Sequence, residues 1–119
     1  MFSLTHSLFW RTGCLLGASG VALGAYGSHG LPRRLVGQEE RVNQWRTAVQ
    51  YQMLHAVALL GISHAKRSLV ASAFLTAGVV FFSGTVYARV LYPDKFDKVK
   101  KLAPAGGVML ILGWLALAL

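Results

Sequence analysis

The spacing of charge along this chain leaves few folds open. Between Arg11 and Arg33 lie 21 residues without Asp, Glu, Lys or Arg, and between Arg46 and Lys66 lie 19. Between Arg67 and Arg89 lie another 21, and 18 more follow Lys101. A transmembrane helix needs about 20 mostly apolar residues, with a range of roughly 17–25, and every gap has that length. A soluble amphipathic helix carries a charged stripe on its outer face, whereas "SLVASAFLTAGVVFFSGTVYA" carries no charge on any face. Charged residues make up 13% of the chain, against about 25% in a soluble domain. The expectation is one all-α membrane domain over residues 1–119. It holds four transmembrane helices, about 9–28, 47–64, 68–91 and 102–119, in an antiparallel bundle. The first span also has the outline of a signal peptide: one early positive charge, an apolar run and small residues at its end. With the chain starting at Met1, it is expected to remain as a span.

The connections follow from the same pattern. Gly30 and Pro32 stop the first span. Residues 33–46, "RRLVGQEERVNQWR", predict a helix that starts near Gln38 and runs unbroken into the second span. Its first turns form an interfacial extension, with Glu39 and Glu40 near the positive end of the helix dipole. Trp45 is expected to anchor that extension, and Trp10 the start of span one, because aromatic rings favour the membrane interface. "SHAKRS" is a tight turn, Pro93 closes span three, and Pro104 sits in the first turn of span four, where its missing N–H costs nothing.

The 12 Lys and Arg residues divide unevenly between the two faces. Arg11, Lys66 and Arg67 flank one. Arg33, Arg34, Arg41, Arg46, Arg89, Lys95, Lys98, Lys100 and Lys101 flank the other. The positive-inside rule puts the richer face on the cytoplasmic or matrix side, with both termini on the opposite side. The net charge of +8 therefore belongs to topology and to anionic lipid headgroups, and nucleic acid is not expected as a partner. Cys14 has no second cysteine to pair with, and reads as a small apolar residue.

Span one places Gly13, Gly17, Gly20, Gly24 and Gly27 on one stripe. In water each glycine costs a helix about 1 kcal/mol relative to alanine, but in a bilayer unpaired backbone is so costly that the helix forms regardless. Small residues then let another helix approach closely. The glycine-rich first helix is expected to receive another helix of the same chain. Gly106, Gly107 and Gly113 in span four, or Ala73, Gly78 and Gly84 in span three, are the surfaces considered for it.

Polar groups inside a span are costly and turn inward. Span two holds Tyr51, Gln52 and His55 on a shared face; span three holds Ser83 and Tyr87; His29 ends span one. These six form the candidate intramembrane polar site. The first expectation is interhelical hydrogen bonding that sets register. The second is a site for a lipid, quinone or haem, in which His29 with His55 would hold the haem iron. No Cys–His or carboxylate–His cluster has metal spacing. No nucleophile motif, phosphate loop or dinucleotide fingerprint is present. Neither catalysis nor a resident cofactor is expected.

The stretches "GAYGSHGL", "TAVQYQMLHAVALL", "FFSGTVYA" and "LAPAGGVMLILGWLALAL", in that order, resemble the family called transmembrane protein 256, or domain of unknown function 423, in its eukaryotic branch. Ser28 stands where the family's G-A-H-G has alanine. The residues carrying the resemblance are His29, Tyr51, Gln52, His55, Ser83, Tyr87, Pro104, Gly106, Gly107 and Trp114. It implies a four-helix protein of bacterial inner membranes and, in eukaryotes, of mitochondria, and it brings no established activity. A structural role follows as the leading expectation: an accessory subunit in the lipid bilayer, packed against membrane-protein partners in a larger, respiratory-type assembly.

Overall fold

The computed structural model describes residues 4–65 and 68–119. Met1, Lys66 and Arg67 lie outside them, and with them part of three readings: the retention of the first span from Met1, the tight turn "SHAKRS" and the charges Lys66 and Arg67 of the poorer face. Among the described residues the chain is all helix, with no strand. Helix α1 covers Leu4–Ser28, α2 Gly30–Arg34 and α3 Glu39–Ile62. Helix α4, Leu69–Val79, runs through a π turn at Val80–Gly84 into α5, Thr85–Leu91. A short α6, Pro93–Phe96, and a 3₁₀ turn at Asp97–Val99 lead to α7, Leu102–Ala118. Gly37, at φ +80°, makes the reversal between α2 and α3, a left-handed conformation that side-chain-bearing residues rarely adopt. Glu39 and Glu40 fill the first turn of α3, where negative charge meets the helix dipole.

Among the described residues, two stretches are long and apolar enough to cross a membrane: Leu4–Ser28, with mean hydropathy 1.2, and Leu69–Leu91, with 1.9. The segment from Pro93 to Ala118, bent by 52°, makes a third if it counts as one span. Helix α3 has the length, 24 residues, but its charged first turns and its Gln50, Gln52 and His55 keep its hydropathy below theirs.

The helices pack as two antiparallel pairs. In the first, α1 lies along α3. A β-carbon built on Gly13 would stand 2.9 Å from Leu60 Cδ2, one on Gly24 3.3 Å from Val49 Cγ1, and one on Gly27 2.5 Å from Trp45 Cδ1. A β-carbon on Gly20 would run into the Met53 sulfur. The partners step backward along α3 as the glycines step forward along α1, so the helices run in opposite directions. In the second pair, Gly78 abuts Leu110, Gly106 abuts the backbone of Phe81 and Phe82, and Gly113 abuts Leu75, again in opposite directions.

This corrects the partner considered for the glycine stripe. It is α3, not span three or four, and what enters it is large side chains rather than other small residues. The small residues of spans three and four face each other instead. Gly84 and Gly107 have nothing within 4 Å of a β-carbon, and neither does Gly17.

The interior mixes apolar residues such as Leu31, Leu59 and Leu75 with polar ones, and much of the exterior is apolar. Gln52, His55, Ser72, Ser83 and Thr85 are inside, whereas Leu15, Val57, Val80, Ile111 and Leu115 are more than half exposed. An apolar exterior around a polar-bearing interior suits a hydrocarbon surround. At one end the two long loops meet. Arg41 donates to the Val90 carbonyl, and Arg34 donates to Leu91 O at 3.5 Å and lies 5.6 Å from the Tyr92 ring. Both arginines thus meet the free carbonyls at the end of α5, the negative end of its dipole.

Candidate functional site

Gln52, His55, Ser83 and Tyr87 form a polar seam where the two pairs meet. Gln52, on α3, is its centre. Its Nε2 donates to Leu16 O and to Ser19 Oγ on α1, both at 2.9 Å, and its Oε1 accepts from Tyr87 Oη on α5 at 2.7 Å. One side chain therefore ties three helices. Four residues further back along the third span, Ser83 Oγ donates to Ala48 O at 2.7 Å. Ser83 belongs to the π turn, a geometry that locally widens a helix and recurs at functional positions.

His55 lies one turn beyond Gln52 on α3 and is 3% exposed. Its Nδ1 is 2.6 Å from Tyr51 O, and Trp114 Nε1 on α7 donates to its Nε2 at 3.0 Å. An indole N–H can only donate, so Nε2 is the acceptor and Nδ1 carries the proton, which it donates to Tyr51 O. Both ring nitrogens are occupied in this neutral tautomer. Around them Tyr51 stacks on Phe82 with ring centroids 4.6 Å apart, and Trp114 stands edge-on to His55 at 5.8 Å.

Of the six candidate residues, Gln52, His55, Ser83 and Tyr87 come together in the seam. Tyr51 reaches it through its carbonyl and turns its ring outward. His29 does not reach it. It is exposed, in the turn between α1 and α2, with its backbone N–H bonded to Ala25 O and Tyr26 O. The α1–α3 alignment sets His55 level with about residue 18, so His29 is about 16 Å further along at 1.5 Å per residue. That separation corrects the haem reading, because the two histidines cannot share one iron.

Trp45 is likewise corrected. It is 1% exposed, its ring covers Gly27 and lies 4.6 Å from that of Tyr87, and its Nε1 donates to Leu23 O at 2.8 Å. A ring enclosed by protein on all sides cannot rest among headgroups, so Trp45 is core. Trp10 is exposed and meets His64 edge-on at 5.2 Å. Sequence reasoning missed Ser19 as a partner of Gln52 and Trp114 as the partner of His55. The signal for Trp114 was available: an indole N–H in an otherwise apolar helix needs an acceptor.

The model of the family described as "Protein of unknown function (DUF423)" matches residues 23–107. A UPF0382 membrane protein of Schizosaccharomyces pombe is 37% identical over 112 residues, covering 88% of this chain and 93% of its own. One from Staphylococcus aureus is 36% identical over 115 residues, covering 92% and 91%. One from Bacillus subtilis is 32% identical over 102 residues, covering 80% of each. No solved structure matches this chain.

Proposed function

Because this chain belongs to the DUF423 family, whose relatives are named as membrane proteins, we propose that it is a four-span antiparallel bundle with a structural role, an accessory subunit of a larger respiratory-type membrane assembly. The observation that carries the reading is the occupancy of the polar seam. The Gln52 amide nitrogen and oxygen, both His55 nitrogens and the Tyr87 and Ser83 hydroxyls are bonded to other parts of the protein. Such bonds fix helix register, each worth about 0.6–1.7 kcal/mol inside a membrane. With these groups occupied by one another, the seam favours a structural over an enzymatic role.

The reading seats the protein in the inner membrane of a mitochondrion or a bacterium, with both termini away from the matrix or cytoplasm. Its support is the meeting of the two basic loops at one end, through Arg34 and Arg41, which gives the bundle one strongly positive face. Extraction of the tagged protein from its native membrane in mild detergent tests the role. The expected result is co-migration with other membrane subunits at fixed stoichiometry on native electrophoresis. A clean monomer, with no other subunit at stoichiometric level, overturns it.

A further inference from the structure

We propose that the gap between α3 and α7 is the seat of one acyl chain of an acidic phospholipid, whose headgroup rests on Lys100 and Lys101. The gap is an open groove of about 560 Å³, walled by Tyr51, Leu54 and Phe82 on one side and by Gly107, Ile111 and Trp114 on the other. The Trp114–His55 hydrogen bond bridges it at its deep end, and the stacked rings of Tyr51 and Phe82 stiffen its wall. The space beside Gly107 is open, since a β-carbon there would meet nothing within 4 Å. Facing atoms left without neighbours lose their dispersion contacts, and in a bilayer the filler at hand is a lipid tail.

Length and charge select the lipid. From Pro104 to Trp114 the groove follows α7 for ten residues, about 15 Å, half of a hydrocarbon core about 30 Å thick. That is the depth of one leaflet. Its shallow end lies one helical turn from Lys101, on the basic face. Lys100 and Lys101 are exposed and pair with no carboxylate among the described residues, while Asp97 is held 3.6 Å from Arg89. The mouth is therefore positive and uncompensated, which fits a phosphate headgroup above an apolar tail. An uncharged ligand would leave the lysines unmet, and His55 has no nitrogen free to bind one.

The inference rests on α7 crossing the bilayer from the basic face, and not on any partner protein. The full chain in detergent micelles is titrated with dioleoylphosphatidylglycerol or dioleoylphosphatidylcholine and read by native mass spectrometry and thermal unfolding. Each lysine near an anionic surface is worth about fivefold in affinity, so the parent should retain phosphatidylglycerol about 25-fold over phosphatidylcholine. Lys100→Gln with Lys101→Gln should abolish the preference while leaving tail binding. Gly107→Leu should lose both lipids and unfold like the parent without lipid. If that variant fails to fold, Ile111→Trp, at an exposed position on the same wall, fills the groove in its place.

Equal retention of the two lipids by the parent overturns the proposal. So does undiminished phosphatidylglycerol binding in the filled variant, or protection of the groove by another protein's helix in native extracts. Tag accessibility of the 92–101 loop reads the leaflet separately, so an error in topology is distinguishable from an empty groove.

Discussion

The two helix pairs both use glycine for close approach, but differ at one point, Gly106. Along α1–α3 the glycines are sockets: Leu60, Met53, Val49 and Trp45 of α3 fill the space above Gly13, Gly20, Gly24 and Gly27. This pair also carries hydrogen bonds from Gln52 to Leu16 O and Ser19, and from Trp45 to Leu23 O. Along α4–α7 Gly78 and Gly113 are likewise sockets, for Leu110 and Leu75, but Gly106 brings main chain to main chain. A β-carbon on Gly106 would stand 2.8 Å from Gly78 O and 2.8 Å from Phe81 C, and no side-chain hydrogen bond between these two helices is found among the described residues. The first pair is specified by side-chain shape and polarity; the second adds, at Gly106, a direct contact of main chain with main chain. A socket can adjust by moving a side chain; two backbones in contact cannot.

That difference predicts its largest effect at Gly106. Gly106→Ala drives a methyl group into the main chain of the π turn, and neither helix has a rotamer to change. The expected loss is about 3 kcal/mol, the upper end of ordinary overpacking costs, read as unfolding in detergent. Gly27→Ala meets a rigid indole and should lose less, because Trp45 can tilt. Gly20→Ala meets the end of Met53, which is flexible, and should lose least of the three. Equal losses at Gly106 and Gly20 would remove the distinction between the pairs.

A second, smaller effect separates the pairs by polarity. Tyr87→Phe deletes one bond at the seam and leaves Gln52 Oε1 unpaired. The expected cost is about 1 kcal/mol, within the range of interhelical hydrogen bonds in membranes. The loss should fall on the docking of α5 against α3 and spare α4–α7. Hydrogen exchange resolved by helix reads this. Loosening that spreads equally to α7 would mean that the seam also holds the second pair.

The spans at Leu4–Ser28 and Leu69–Leu91 could be read from the sequence because desolvated charge is the largest energy involved, and the gaps from Arg11 to Arg33 and from Arg67 to Arg89 leave room for little else. The gathering of Gln52, His55, Ser83 and Tyr87 was legible for a related reason: polar groups in a span turn inward. What the sequence does not carry is pairing. A glycine stripe says that something approaches closely, but not whether it is a small residue or a Trp. Trp45 was misread because an aromatic ring near a span's end defaults to the interface. Its helical spacing with Val42 and Val49 already placed it on a core face. His29 follows a span directly, and only the three-dimensional turn shows that it leaves the seam. The π turn at Val80–Gly84 has no recognisable sequence signal, yet it is the surface on which Gly106 sits.

The smallest expected effect is the most discriminating about what lies beyond this chain. Gly17 belongs to the α1 stripe by spacing, but nothing stands within 4 Å of a β-carbon built there. In the isolated protein Gly17→Ala should therefore be neutral, or stabilising by about 0.5 kcal/mol through reduced freedom of the unfolded chain. The same substitution in the native membrane is a separate measurement. If abundance or complex migration falls there while the purified variant is as stable as the parent, another helix covers Gly17 in the assembly. The open socket on α1 would then be the docking point that a structural subunit requires. Tolerance in both settings would leave the four contacted glycines to the α1–α3 pair alone and move the search for the partner surface to the exposed faces of α7.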